Sequence, residues 1–198
     1  MNTTSEAASL AMDDTAVSLN LSLVQNEIFE TTAKIDGEQL AVLADHLRVA
    51  NRVFVAGAGR SGLVLRMTAM RLMHLGLTVH IAGDTTTPAI RSGDLLLVAS
   101  GSGTTSGVVK AAETAANAGA RIATVTTNSQ SRLATLADAL VIIPARQKTD
   151  HASSLSRQYS GSLFEQVLFL ATEAVFQSLW DTTNEPAEQL WLRHANLE

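Results

Sequence analysis

Two short turns hold most of the residues whose types and spacing could do chemistry. GAGRSG spans Gly57 to Gly62, and SGSGTTSG spans Ser100 to Gly107. Each follows a short apolar run and opens a stretch with helical patterning. Glycine lets a backbone approach a ligand closely, and the free N–H groups at a helix start point toward an anion. Ser61, Ser100, Ser102, Thr104 and Thr105 add neutral hydroxyl donors. Such groups suit a phosphate, whose charge the helix dipole partly offsets. A Gly-Ser turn before a helix also serves simply as an N-cap and a tight corner. GAGRSG fits the G-x-G-x-x-G spacing of a dinucleotide turn, but the next strand-like run, LTVHIAG, has no acidic residue to hold a ribose. No G-x-x-x-x-G-K-[ST] run for a nucleoside triphosphate is present. Two Ser/Gly turns therefore favour a phosphate monoester.

Two further residues stand out. Glu165 has SLF before it and VLFLA shortly after, and Glu is rarely buried without a partner. One reading is a capping box with Ser162, favoured by the helix dipole. The other is a general base whose pKa burial raises toward neutrality. His74 closes the helical stretch Gly62 to Leu75, where the dipole alone favours a histidine. Its other reading is a proton shuttle. A helix of about fourteen residues is roughly 20 Å long, so His74 lies far from the Ser61 turn of its own chain. A catalytic His74 would then serve a neighbouring subunit. His46, His80, His151 and His194 have no i, i+4 histidine partner, so no metal cluster can be drawn from them.

The elements that must position these residues are legible from texture. RVFVAG (Arg52 to Gly57), LTVHIAG (Leu77 to Gly83), DLLLVAS (Asp94 to Ser100), RIATVTT (Arg121 to Thr127) and ALVIIPA (Ala139 to Ala145) read as buried strands. Helical stretches fall between them at Gly62 to Leu75, Ser106 to Ala118 and Ser131 to Asp138, and a long one runs Ser162 to Trp180. Two helices lead the sheet. The first carries Val17, Leu21, Val24, Ile28 and Ile35 at helix-like spacing, and the second is capped by Asp36 with Leu40, Leu43, Ala44 and Leu47 on its apolar face. The pattern predicts an α/β fold: a five-stranded parallel sheet flanked by helices, a Rossmann-like three-layer sandwich. Residues 1–15 read as a flexible arm, 16–182 as the domain with its leading helices, and 183–198 as a helical tail. Ligands in such sheets sit beyond the carboxyl ends of the strands, where both turns fall.

Composition narrows the classes. The 198 residues suit one domain, and 46% hydrophobic residues suffice for a core, which must be aliphatic because only 4% are aromatic. A net charge of −5 argues against a nucleic-acid backbone as partner. The absence of cysteine excludes disulfides, thiolate nucleophiles and cysteine-held zinc. No apolar run reaches the roughly 18–20 residues of a membrane span, and no signal peptide is evident, so a soluble cytoplasmic protein is expected.

GAGRSG, AMRLMHLG (Ala69 to Gly76), GDTTTPAI (Gly83 to Ile90), SGSGTT and GSLFEQ (Gly161 to Gln166) together resemble the sugar isomerase (SIS) domain family. The similarity runs from about Ala33 to Trp180, leaving the arm before Ala16 and the tail after Asp181 outside it. SGSGTT and GAGRSG are general to SIS domains. The other three segments narrow the resemblance to the 6-phospho-3-hexuloisomerases. That resemblance implies isomerisation of D-arabino-3-hexulose 6-phosphate to D-fructose 6-phosphate, a step of the ribulose monophosphate pathway of formaldehyde assimilation or detoxification. It also implies neither metal nor cofactor, and sites shared at subunit interfaces. The apolar-rich final helix, the Leu190-Trp191-Leu192 tail and the reach of His74 point to a homo-oligomer, dimer or tetramer. The matching sugar-phosphate-binding positions are Gly59, Arg60 and Ser61 in the first turn and Ser100, Gly101, Ser102 and Thr105 in the second. The family's glutamate falls on Glu165 and its histidine on His74. Moving a ketone from C3 to C2 passes through a cis-enediol, so one base on one face can make both proton transfers.

Two other readings compete. A SIS sensor would bind a sugar phosphate without turning it over, but such regulators carry a DNA-binding module, and the acidic leading segment shows no helix-turn-helix or basic face. A sister isomerase for arabinose 5-phosphate or sedoheptulose 7-phosphate is the other; the former usually carries a C-terminal pair of CBS domains, for which this chain ends too soon.

Overall fold

The computed structural model describes residues 14–146 and 156–197. Most of the flexible arm expected at the N-terminus, and residues 147–155 of the loop before GSLFEQ with His151, therefore lie outside the described residues. Five strands form one sheet: β1 (Val53–Gly57), β2 (Val79–Ile81), β3 (Leu95–Ala99), β4 (Arg121–Thr126) and β5 (Ala139–Ile142). All pair in parallel, in the order β2-β1-β3-β4-β5. Among the described residues seven helices accompany them: α1 (Asp14–Thr32), α2 (Gly37–Arg48), α3 (Gly59–His74), α4 (Ser106–Asn117), α5 (Arg132–Thr135), α6 (Ser162–Thr183) and α7 (Ala187–Trp191).

The near-continuous apolar strands are explained by burial on both faces. Val53, Val55, Leu95 and Leu97 join the cluster beneath α2, α3 and α6, with Leu43, Leu47, Leu65, Leu72, Phe164 and Leu168. Phe54, Leu96, Val98 and Ile122 join the opposite cluster, with Val108, Ala112 and Leu133 of α4 and α5. Successive strand residues point to opposite faces, so each run must be apolar throughout. The three-layer sandwich expected from the sequence is the fold observed.

The differences from expectation are local. The third residue of GAGRSG, Gly59, already begins α3, so Arg60 and Ser61 belong to its first turn rather than to a preceding loop. The short helix near 131 lasts only one turn, with Ser131 Oγ accepting from the Ala134 N–H. The long last helix continues to Thr183, where Asn184 turns the chain with a left-handed φ of 55°. The tail then holds only the short α7. Asp36 caps α2 as expected, accepting from the Glu38 N–H at 2.9 Å. In α1, Val17 and Leu21 are exposed although their spacing is helical, because the spacing of apolar residues says that a face exists but not what covers it.

One buried ion pair pins the entry to the two central strands. Asp94, fully buried just before β3, accepts from Arg52 Nε at 3.0 Å, from Arg52 Nη2 at 2.5 Å and from the Arg91 N–H at 2.9 Å. Burial pushes the Asp94 carboxyl up, but its bonds from Arg52 and Arg91 and their charges outweigh that and hold it below its ordinary value. Removing one partner of such a pair strands the other, so Asp94→Asn is expected to cost about 3 kcal/mol near neutral pH. Because the folded value is depressed, this contribution is complete above the ordinary value of 3.8 and is lost as pH falls through the lowered one. Thermal melts of wild type and variant, far apart at about pH 7, are expected to converge in acid.

Candidate active site

The strand order reverses at β1 and β3, and the two Ser/Gly turns leave the carboxyl ends of those strands. In the first turn the glycines are needed for packing. A Cβ on Gly62 would lie 2.5 Å from the Gly57 carbonyl oxygen, and one on Gly57 would lie 2.9 Å from Gly62 Cα. Strand and helix thus touch backbone to backbone. Gly59 takes a φ of +56°, a conformation costly for any other residue. The N-cap of α3 is Ala58, which has no side-chain acceptor, and the N-cap of α4, Thr105, makes no capping bond. Both helix starts therefore keep N–H groups for another acceptor. Thr105 Oγ1 instead pairs with Ser100 Oγ at 2.9 Å, and Ser102 Oγ accepts from the Thr104 N–H at 3.3 Å.

Between the turns lies a cavity of about 300 Å³, lined by Gly59 and Ser61 on one side and by Ser100, Gly101, Ser102 and Thr105 on the other. Arg146 and Phe164 close its flanks. Six of the seven expected binding positions meet here. Arg60 does not line it: its Nε lies 3.0 Å from Glu165 Oε2, and its Nη1 donates to Ser162 Oγ at 3.1 Å. Among the described residues the cation bordering the cavity is Arg146, in a loop whose polar sequence carries no motif.

Glu165 stands in the first turn of α6 and is 2% exposed. Beside the Arg60 contact, Ser61 Oγ donates to Glu165 Oε1 at 3.5 Å, the limit of a hydrogen bond. The carboxylate is thus joined to a residue of the cavity wall. The capping box expected between Ser162 and Glu165 does not form. The N-cap is Gly161, in a left-handed conformation with φ of 82°, so Ser162 already lies inside the helix and its hydroxyl faces Arg60.

His74 ends α3, roughly 20 Å along the helix from Ser61. It is buried and does not meet the other expected residues; its ring stacks on His194, with centroids 4.6 Å apart. Burial, then the charges of His194 and Arg71, lower its pKa below the ordinary 6.5. Arg66 and Arg71, on the same helix, pair with Asp84 at 2.8 Å and Glu173 at 3.3 Å.

Sequence reasoning missed one brace of the site. Glu27 of α1 accepts from Ser156 Oγ at 2.6 Å, the Arg157 N–H at 2.7 Å and Gln158 Nε2 at 3.0 Å. Burial raises its pKa, but those three bonds outweigh the effect and lower it. Gln158 in turn accepts from Gln166 Nε2 at 2.8 Å, next to Glu165. No local motif could have announced a clamp whose halves lie 129 positions apart. Among the described residues no three His, Asp or Glu side chains cluster to hold a metal, and no helix is long and apolar enough to cross a membrane.

The SIS domain model matches residues 46–170, which hold both turns, Glu165 and His74. The chain belongs to the SIS domain family. Among SIS proteins, a 3-hexulose-6-phosphate isomerase from Mycobacterium gastri is 75% identical over 179 residues, covering 90% of each chain. One from Bacillus subtilis is 38% identical over 176 residues, covering 88% of this chain and 95% of that one. A hypothetical protein from Methanococcus jannaschii, whose crystal structure infers a function of 3-hexulose-6-phosphate isomerase, superposes with a TM-score of 0.77. It is 29% identical, over 91% of this chain and 99% of its own.

Proposed function

We propose that this SIS domain converts D-arabino-3-hexulose 6-phosphate to D-fructose 6-phosphate, as a cytoplasmic enzyme of the ribulose monophosphate pathway. The observation that carries this reading is Glu165: a buried carboxylate bonded to Ser61, which lines the cavity between the two Ser/Gly turns. The two relatives named as 3-hexulose-6-phosphate isomerases support the choice of substrate.

In this mechanism Ser61 turns its hydroxyl from Glu165 to the phosphate, which also lies on the hydroxyls of Ser100, Ser102 and Thr105 and on the open N–H groups of the two helix starts. Glu165 takes the proton from C2. The C–H electron pair becomes the C2=C3 double bond, and the C3 carbonyl oxygen gains a proton, giving the cis-enediol. Loss of the O2 proton reforms a carbonyl at C2, and Glu165 returns its proton to C3. The redox change is internal to the sugar, so the reaction consumes no cofactor. A histidine that carries the hydroxyl protons completes the cycle, and His74 of a neighbouring subunit takes that role.

Assembly is supported by apolar surface. Leu63, Met67 and Met70 form an exposed stripe on α3, Leu170 lies exposed on α6, and Val17, Leu21 and Phe29 are exposed on α1. Isolated apolar side chains are common on surfaces, but a stripe of this kind marks a contact.

Three outcomes test the reading. Glu165→Gln keeps an acceptor for Ser61 but cannot take a proton, so kcat is expected to fall by about 10²–10⁴-fold with KM little changed. The fold survives the change because Arg60, more than half exposed, can turn to water. Formation of fructose 6-phosphate, coupled to glucose 6-phosphate oxidation, reports the rate, and near-normal turnover would remove Glu165 from the mechanism. Wild-type protein that bound the sugar phosphate yet exchanged no carbon-bound proton with deuterated solvent would instead be a sensor. Ser102→Ala is expected to weaken substrate and inorganic phosphate alike by about 1.5–3 kcal/mol, as for a lost bond to a charged group. Unchanged KM and unchanged inhibition by phosphate would place the phosphate elsewhere. Light scattering is expected to find a dimer or tetramer, and a fully active monomer at assay concentration would refute the shared site.

A further inference from the structure

The segment after α6 folds back over the C-terminal end of α3. Trp180 Nε1 donates to the Glu185 carbonyl oxygen at 2.7 Å, and Leu190 is buried. Arg193 Nη1 donates to the His74 carbonyl oxygen at 2.9 Å, while its guanidinium pairs with both Glu185 carboxylate oxygens at 2.9 and 3.3 Å. A cation thereby caps the negative end of α3 and ties the segment down. This docking lays His194 on the ring of His74, with an interplanar angle of 23°. Trp191 packs against His194 in turn, centroids 4.6 Å apart. A second cavity of about 550 Å³ opens beside them.

We propose that residues 184–194 form a strap and that His194 is a positioning residue, holding the His74 imidazole in one orientation for its part in the isomerisation. The proposal rests on the reading that His74 takes part in the reaction. A histidine at a helix end would otherwise sample several ring orientations, and misplacing a reacting group by about 1 Å can cost 10²-fold in rate. The stacked ring limits His74 to rotation within the stack and covers one face of it, leaving the imidazole on the wall of the second cavity. The charged and titratable groups around it are Arg71 on α3, Glu173 on α6, and Glu185, Arg193 and His194 on the strap. Protonating His74 beside Arg71 and His194 is unfavourable, in keeping with the lowered pKa caused by burial, His194 and Arg71. The strap thus keeps a neutral imidazole near neutral pH, able both to accept and to donate a proton.

The test compares His194→Ala, His194→Phe and His74→Asn in the full chain. Each is assayed for kcat and KM and checked by circular dichroism, and the His74 titration is followed by NMR of labelled imidazole in the first two. His194→Ala is expected to lower kcat about tenfold with KM within about twofold. His194→Phe restores a stacked ring, so most of kcat is expected to return, while the His74 midpoint rises because the lowering effect of His194 is lost. Wild-type kcat in His194→Ala overturns the proposal, as does a His194→Phe enzyme no faster than the alanine variant. Slow His74→Asn beside fast His194→Ala sinks the strap alone, whereas wild-type kcat in His74→Asn sinks the underlying reading of His74.

Discussion

A carboxylate withdrawn from water must be paired, and in this SIS domain that requirement joins the parts of the site. Glu165 projects from the first turn of α6 into the space between that helix and the start of α3, where it meets Arg60 and Ser61. Ser61 in turn lines the cavity between the turns, so the pairing that relieves the buried charge also sets the distance between carboxylate and cavity. Arg60 links Glu165 and Ser162, and α6 is thereby locked to α3 at the carboxyl edge of the sheet. Leaving such a charge without partners would cost several kcal/mol, more than one helix contact can offset.

The cavity obeys a complementary rule. An open parallel sheet gathers its ligand where neighbouring strands send their connections to opposite faces, and α3 and α4 leave β1 and β3 toward opposite clusters. Their uncapped starts converge there, and the hydroxyls of the second turn are ordered by bonds to one another. Gly103, with φ of +66°, lies so close to Ser131 that a side chain there would collide with it. The second turn is therefore held against α5 as firmly as the first is held against its own strand.

The legible part of this molecule was the part written in consecutive residues. β1, β3 and β4 read clearly because burial on both faces forbids polar interruption, and Asp36 declared a helix start by type and position. The two Ser/Gly turns were legible for the same reason, each being one strand end, one turn and one helix start. Ser162 misled because S-x-x-E matches a capping box, while the left-handed Gly161 just before it begins the helix one residue earlier. Arg60 matches a sugar-phosphate-binding position of the family the sequence resembles, yet its partner in the fold is a carboxylate far along the chain. The Glu27 clamp and the stacking of His194 on His74 escaped notice because each joins distant segments, which no spacing encodes. Likewise the apolar spacing of α1 showed a face without showing that Ile28 packs on the core while Val17 and Leu21 lie open on the isolated chain.

The separation of Ser61 from Glu165, 104 positions, bears on how the molecule comes into being. During synthesis the N-terminal portion leaves the ribosome first, and sheets of this kind need long-range pairings that form slowly. The Ser/Gly cradle can assemble once β4 has joined β3, but α6 is still to be made at that point. Until it docks, the apolar faces of α2 and α3 that it covers stay wet, and the nascent chain is at its most prone to aggregate. On the proposed mechanism the anion cradle thus precedes the base, and the contact between Ser61 and Glu165 forms only as α6 docks.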